Sequence, residues 1–301
     1  MMRNSYVSRL RSALAFVCAL AVVSLSLAAP AFASGANKSD DKMSAEEVIA
    51  KHLEAIGPAA ARASNQSRVA VGSVKATFKV RSTSGVLDGR AVFGSVERKA
   101  VVGLAFNAPN YPGEKLGFDG KKFTVGYLTP GVRSTLGTFM LNHTGLFKEG
   151  LVTGTLSAAW PLLDLAGRNA KVDYAGTDKI DGRLVHKLKY LPKGGSDVNI
   201  SLYFDAETFQ HVRSQYDFKI SSRLASGGVD AQARQQETRY KMIENFGDFK
   251  KEGELNLPHT YSLQLEVVKT DGSSLDKWEV ALEQFSFNQP LEDSSFDVDG
   301  R

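Results

Sequence analysis

Cysteine is nearly absent from this 301-residue chain, Cys18 being the single one. It lies inside the apolar stretch from Ala13 to Val23, behind Phe16 and Val17 where a lipidation signal would have small residues, and reads as filler of that stretch. The remainder of the chain can form no disulfide and offers no thiolate metal ligand. Secreted domains of ~100 residues or fewer often need such staples, but this chain is long enough to build a core without them. Motifs of covalent chemistry are missing as well: there is no G-x-S-x-G elbow, P-loop or H-E-x-x-H helix. The five histidines, His52, His143, His186, His211 and His259, are widely separated and form no local ligand pair, which predicts surface or interfacial positions and no metal site. Concentrated charge is also lacking. Of 37 Lys+Arg, three (Arg3, Arg9 and Arg11) fall in the first 33 residues, leaving 34 against 33 Asp+Glu. Those bases are interspersed with acids, as in 237–251, whereas nucleic acid would require a basic stripe. The chain is therefore expected to have no catalytic residue, no cofactor and no nucleic-acid partner.

Only one long apolar run is present, and it lies at the start. Three arginines, the run Ala13 to Val23 and Ala31-Phe32-Ala33 have the order of an export signal with cleavage after Ala33. Ser24, Ser26 and Pro30 interrupt the run before it reaches the ~20 residues that span a bilayer. Residues 1–33 are thus expected to be a cleaved signal peptide, 34–43 a flexible linker, and 44–298 a single domain.

That domain opens with a helix. Ser44-Ala45-Glu46-Glu47 is a capping-box pattern, Val48, Ile49, Leu53 and Ile56 follow at helical spacing, and Gly57-Pro58 closes the run. From there the period changes to two. Val74, Ala76, Phe78 and Val80 alternate with polar residues, as do Val198, Ile200, Leu202 and Phe204, then Tyr261, Leu263, Leu265 and Val267, then Trp278, Val280 and Leu282. One apolar face per strand indicates an antiparallel sheet wetted on its other side. Asp-Gly pairs at 88–89, 119–120, 181–182 and 271–272 predict hairpins, and Gly194-Gly195 and Gly227-Gly228 predict further turns. The strands fall into two sets, 68–128 and 171–287, flanking a stretch patterned as helix.

That stretch, Ser134 to Leu165, carries no charge as far as Phe147 and predicts a helical pair. Leu136, Phe139, Met140, His143, Leu146 and Phe147 repeat at helical spacing; Leu156, Trp160, Leu162, Leu163 and Leu165 suggest a second helix with Pro161 near its start. A sheet of some ten strands is too long to stay flat and curls. The expected fold is α+β: a strongly curved antiparallel sheet forming an open half-barrel, with the N-terminal helix and the inserted pair covering its concave face. The covered interior is either an ordinary packed core or a cavity for an apolar guest, and the pattern alone leaves both open.

Several segments together resemble the LolA-like superfamily, the periplasmic carriers of outer-membrane lipoproteins and their lipid-binding relatives. They are the opening helix Glu46 to Gly57, the Asp-Gly-Lys hairpin of Leu116 to Lys122, the unit Ile200 to Asp205 followed by His211-Val212-Arg213, and the close Phe285 to Asn288, Pro290-Leu291 and Phe296. The resemblance implies a periplasmic monomer that binds a lipid or acylated ligand in a hydrophobic cavity without covalent chemistry, and exchanges it with a membrane-associated loading or receiving protein. The cavity wall is then expected from Val74, Phe78, Ile200, Leu202, Phe204, Leu263, Leu265, Trp278 and Val280. Leu136, Phe139, Met140, Phe147 and Trp160 would form a helical lid. Two other classes remain open: an envelope sensor of the same fold that reads lipid or misfolded protein, and a lipid- or glycan-directed hydrolase, for which no nucleophile motif is present.

Overall fold

The computed structural model describes residues 43–80, 83–223 and 235–299. The signal peptide, its cleavage site, the linker up to Lys42 and the Gly227-Gly228 turn lie outside the described residues. Helix α1 (Ala45–Ile56) begins where Ser44 caps it, the Ser44 hydroxyl accepting from the Glu47 amide at 3.1 Å. It ends at Gly57, whose φ of 151° brings the chain close to the Glu254 carbonyl, where a Cβ would not fit. A short α2 (Ala59–Ser64) follows.

Twelve strands make one antiparallel sheet: β1 (Ser67–Val80), β2 (Thr83–Val96), β3 (Lys99–Phe106), β4 (Gly113–Phe118), β5 (Phe123–Val125), β6 (Lys171–Ile180), β7 (Arg183–Leu191), β8 (Asn199–Asp205), β9 (His211–Arg223), β10 (Gln235–Glu252), β11 (Leu255–Lys269) and β12 (Gly272–Phe287). Their spatial order is β5-β4-β3-β2-β1-β12-β11-β10-β9-β8-β7-β6, so β1 meets β12 in the middle and the sheet stays open. Its two edge strands, β5 and β6, are consecutive in sequence, and everything between them has to cross from one edge to the other. That connection is the apolar insertion.

Register puts apolar side chains of one parity in rows along a single face. One row runs Phe78, Asp276, Leu265, Met242, Tyr216, Ile200; the next runs Ala76, Trp278, Leu263, Glu244, Ser214, Leu202. This concave face, α1 and the insertion share one hydrophobic core. Asp119, Asp181-Gly182, Gly194-Gly195 and Asp271-Gly272 lie at turns as expected. Asp88-Gly89 does not: both residues are inside β2, and Gly89 sits opposite Phe106, where a Cβ would meet the Ala105 carbonyl oxygen and the Phe106 ring. Close strand packing, not a turn, needs that glycine.

The insertion is more broken than a helical pair. His143, at φ −125° and ψ 49°, splits the first helix into α3 (Thr135–Asn142) and α4 (Thr144–Lys148). The second becomes 3₁₀ turns at Gly154–Leu156 and Pro161–Asp164 and a single turn, α5 (Leu165–Arg168). Among the described residues no helix is long and apolar enough to cross a membrane.

Candidate functional site: the covered concave face

The residues expected as wall and lid do converge. Eight of the nine wall residues are buried on the concave face and Phe78 is half-buried; Leu136, Phe139, Met140, Phe147 and Trp160 are at most 3% exposed. The insertion residues and the sheet residues belong to one hydrophobic cluster, so the insertion is packed onto the sheet. Phe139 stacks on Tyr240 with ring centroids 5.6 Å apart, and His143 meets Phe218 edge-on at 4.2 Å. Clefts open on either side of α3. One of about 290 Å³ is lined by Thr138, Phe139, His143, Phe218 and Ile220, and one of about 330 Å³ by Val80, Val267, Lys269 and Ser274. Thr135, in the first turn of α3, and Tyr240 line both.

The concave face is not wholly apolar, and its acids were not among the sequence candidates. Glu244 is fully buried between Met242 and Phe246. Its Oε1 accepts from the Tyr261 hydroxyl at 2.7 Å and the Thr153 amide at 2.7 Å; its Oε2 lies 2.8 Å from the Tyr216 hydroxyl. That hydroxyl also faces the Leu151 carbonyl at 3.1 Å, and its single proton cannot serve both acceptors. A neutral Glu244 resolves the conflict by donating to Tyr216, which then donates to Leu151. Burial accordingly pushes the Glu244 carboxyl up to about 7. Residues 151–153 are thereby tied to β9, β10 and β11.

Glu114 on β4 is a second buried acid. It accepts from Tyr111 at 2.6 Å and from Ser134, the cap of α3, at 2.7 Å, and burial pushes it up to about 7. Asp276 is raised to about 6, again by burial. All three acids interrupt an apolar alternation: Glu114 precedes Leu116 by two positions, Glu244 lies between Met242 and Phe246, and Asp276 precedes Trp278 by two. Period-two exceptions were the signal that could have exposed them.

Of the surface or interfacial positions expected for the histidines, the surface part is corrected. His52 and His211 are fully buried, because α1 packs on the sheet and carries His52 to within 6.1 Å of the His211 ring; His143 and His186 are nearly so, packed against Phe218 and Phe209. His52 Nε2 accepts from the Trp160 indole at 3.1 Å, which places its proton on Nδ1, facing the Phe209 carbonyl at 3.0 Å. Burial lowers this imidazole to about 4 and lowers His211 well below its ordinary value. Trp160 stacks on His211 at 4.6 Å. Ser214 and His211 are in contact at 3.1 Å, but both are fully buried and no acid orients the imidazole, because His211 Nδ1 has no partner. The nearest carboxyl row partner, Glu244, is already engaged. This pair does not have the geometry of a hydrolytic triad. No three or more His, Cys, Asp or Glu side chains converge as a metal site among the described residues.

No family profile matches the chain, and no curated protein matches it. Solved structures are similar over most of its length. A domain described as an outer membrane lipoprotein-sorting protein from Vibrio parahaemolyticus is 11% identical, with a TM-score of 0.42, covering 83% of this chain and 96% of its own. A DUF1329 family protein from Desulfovibrio piger is 8% identical, with a TM-score of 0.37, covering 84% of this chain and 96% of its own. Lipoprotein LppX of Mycobacterium tuberculosis is 13% identical, with a TM-score of 0.21, covering 82% of this chain and 98% of its own. At such identities and scores, no ligand or partner of theirs carries over to this chain.

Proposed function

We propose that the protein is a periplasmic binder or carrier of a lipid-like or acylated ligand, held between the insertion and the concave face without covalent chemistry. One observation carries this reading. From Thr135 to Phe147 the cover has no Lys, Arg, Asp or Glu, rests on the sheet through apolar side chains, and makes no hydrogen bond to a strand among the described residues, its polar contact being His143 with the exposed Asp197 of the β7–β8 loop at 3.4 Å. Such a cover can lift without stranding buried polar groups. Each acyl methylene taken into the space beneath would stabilise the complex by about 0.8 kcal/mol. The two clefts beside α3 give the chain end its point of access, and a membrane-associated protein loads or receives the ligand. Export with cleavage after Ala33 belongs to the same proposal.

The test is direct. Protein purified from a bacterial envelope should yield extractable lipid by mass spectrometry, or bind an apolar fluorescent probe that added lipid displaces. Protein that is free of lipid and also ignores the probe would defeat the reading.

A further inference from the structure

At the opposite end of β1 from the α3 clefts lies a larger cleft, of about 600 Å³. Arg62 at the end of α2, Arg98 and Lys99 at the β2–β3 turn and Arg168 of α5 all line it, against the acids Glu97 and Asp164. Trp160 and Leu163 supply an apolar floor.

The cations here are under-matched. Arg168 is only 8% exposed, and its guanidinium meets backbone carbonyls alone: Ala159 at 2.7 Å and Lys148 at 3.3 Å. Its Nε is buried without a partner, as is that of Arg62, and neither arginine has a carboxylate within ion-pair distance among the described residues. Arg98 reaches Asp164 at 3.3 Å and the Gly167 carbonyl at 3.1 Å, both on the exposed side. Lys99 is held by Asp293. A buried guanidinium with an unused donor calls for an anion of matching geometry. A tetrahedral oxyanion offers several acceptors at once and fits a cleft of this volume.

We infer that this cleft binds a phosphate-class anion, coordinated by Arg62, Arg98 and Arg168 over the Trp160 floor. The site stands independently of acyl binding beneath α3. Its anion is either the phosphate of a lipid headgroup or free phosphate, since both present the same oxygens.

The experiment titrates the full-length mature protein with inorganic phosphate and, separately, with a short-chain phosphatidic acid below its micellar concentration, at low ionic strength. Calorimetry and the arginine Nε–H signals in NMR are the readouts. Arg62→Gln, which leaves the backbone ties of Arg168 in place, should weaken phosphate binding by about tenfold, the order of one charge-assisted hydrogen bond. Lys75→Gln, the same charge change on the convex face, should leave it unaltered. Phosphatidic acid binding that exceeds phosphate binding and is weakened by Arg62→Gln identifies a lipid headgroup, whereas a gain untouched by Arg62→Gln belongs to the acyl chains and leaves the free ion as the ligand of this cleft. Absence of any phosphate response, or equal weakening by Lys75→Gln, overturns the site. Neither outcome depends on displacement of the apolar probe, so the carrier reading stands or falls separately.

Discussion

The two halves of the insertion are held in different ways. From Leu151 to Trp160 the backbone and side chains are tied down by hydrogen bonds, donor to acceptor: Thr153 to Glu244, Tyr216 to Leu151, Arg68 to Thr155 at 2.6 Å, Ala158 to Ser95 at 2.8 Å, and Trp160 to His52. Between Thr135 and Phe147 contact with the sheet is apolar and aromatic; the polar contacts are Ser134 at the first turn of α3 and His143, whose Nδ1 lies 3.4 Å from the exposed Asp197 of the β7–β8 loop. Apolar contact is non-directional and can slide, whereas a buried hydrogen bond must be replaced if broken. The insertion is therefore an arm anchored by buried hydrogen bonds with a forearm held mainly by apolar contact, and the proposed function assigns opening to α3.

The strongest blow to this contrast is struck at its anchor. Glu244→Ala leaves the Thr153 amide and the Tyr261 hydroxyl without their acceptor and opens a void; a loss of about 3–5 kcal/mol in urea unfolding is expected. Glu244→Gln should cost far less, because its amide reproduces the neutral acid, accepting from Tyr261 and Thr153 and donating to Tyr216. If both variants fall equally, the proton assignment fails.

Titration sharpens the same point. A carboxyl raised from 4.5 to about 7 binds its proton more tightly folded than unfolded, so its contribution is complete below pH 4.5 and is lost as pH rises through 7. His52, lowered from 6.5 to about 4, works in the other sense, its contribution present above pH 6.5 and lost as pH falls through 4. The difference between Glu244→Gln and the parent isolates the acid. It should move by about 3 kcal/mol in favour of the variant between pH 4.5 and 7.5. A pH-independent difference would show that Glu244 ionises freely in the folded protein.

Hydrogen exchange compares the halves without mutation. Amides of 138–148 should open with a free energy about 2 kcal/mol below those of 153–160, a roughly 30-fold difference in exchange. Uniform protection across the insertion would erase the distinction. The smallest effect is at the tether itself. Ser134→Ala removes the cap of α3 and one bond to Glu114, costing about 1 kcal/mol by thermal unfolding while raising apolar-probe affinity.

Much of the frame was legible in the sequence because it depends on local rules. Ser44 and Glu47 announce α1 by hydrogen-bond chemistry within one turn, and the alternation around Val74, Leu263 and Trp278 follows from the pleat. What stayed hidden depends on partners far apart. Nothing near Glu244 in sequence reveals Tyr216, Tyr261 and Thr153, and nothing near Arg168 reveals Arg62. The histidines went astray for the same reason, since His52 is polar by composition but is buried by the docking of α1 beside Phe204 and His211. Asp88-Gly89 misled because a glycine demanded by the close approach of a neighbouring strand looks the same as one demanded by a bend.

The central seam has a consequence for biogenesis. Ser67 hydrogen-bonds to Gln289, 222 positions away, and β1 zips to β12 along its whole length. The first strand made must wait for the last, so a growing chain holds two half-sheets with raw edges until synthesis is complete. Folding of this kind is slow and exposes sticky margins. A chain cut before β12 would be left as two unjoined wings prone to aggregation, rather than as a smaller working protein.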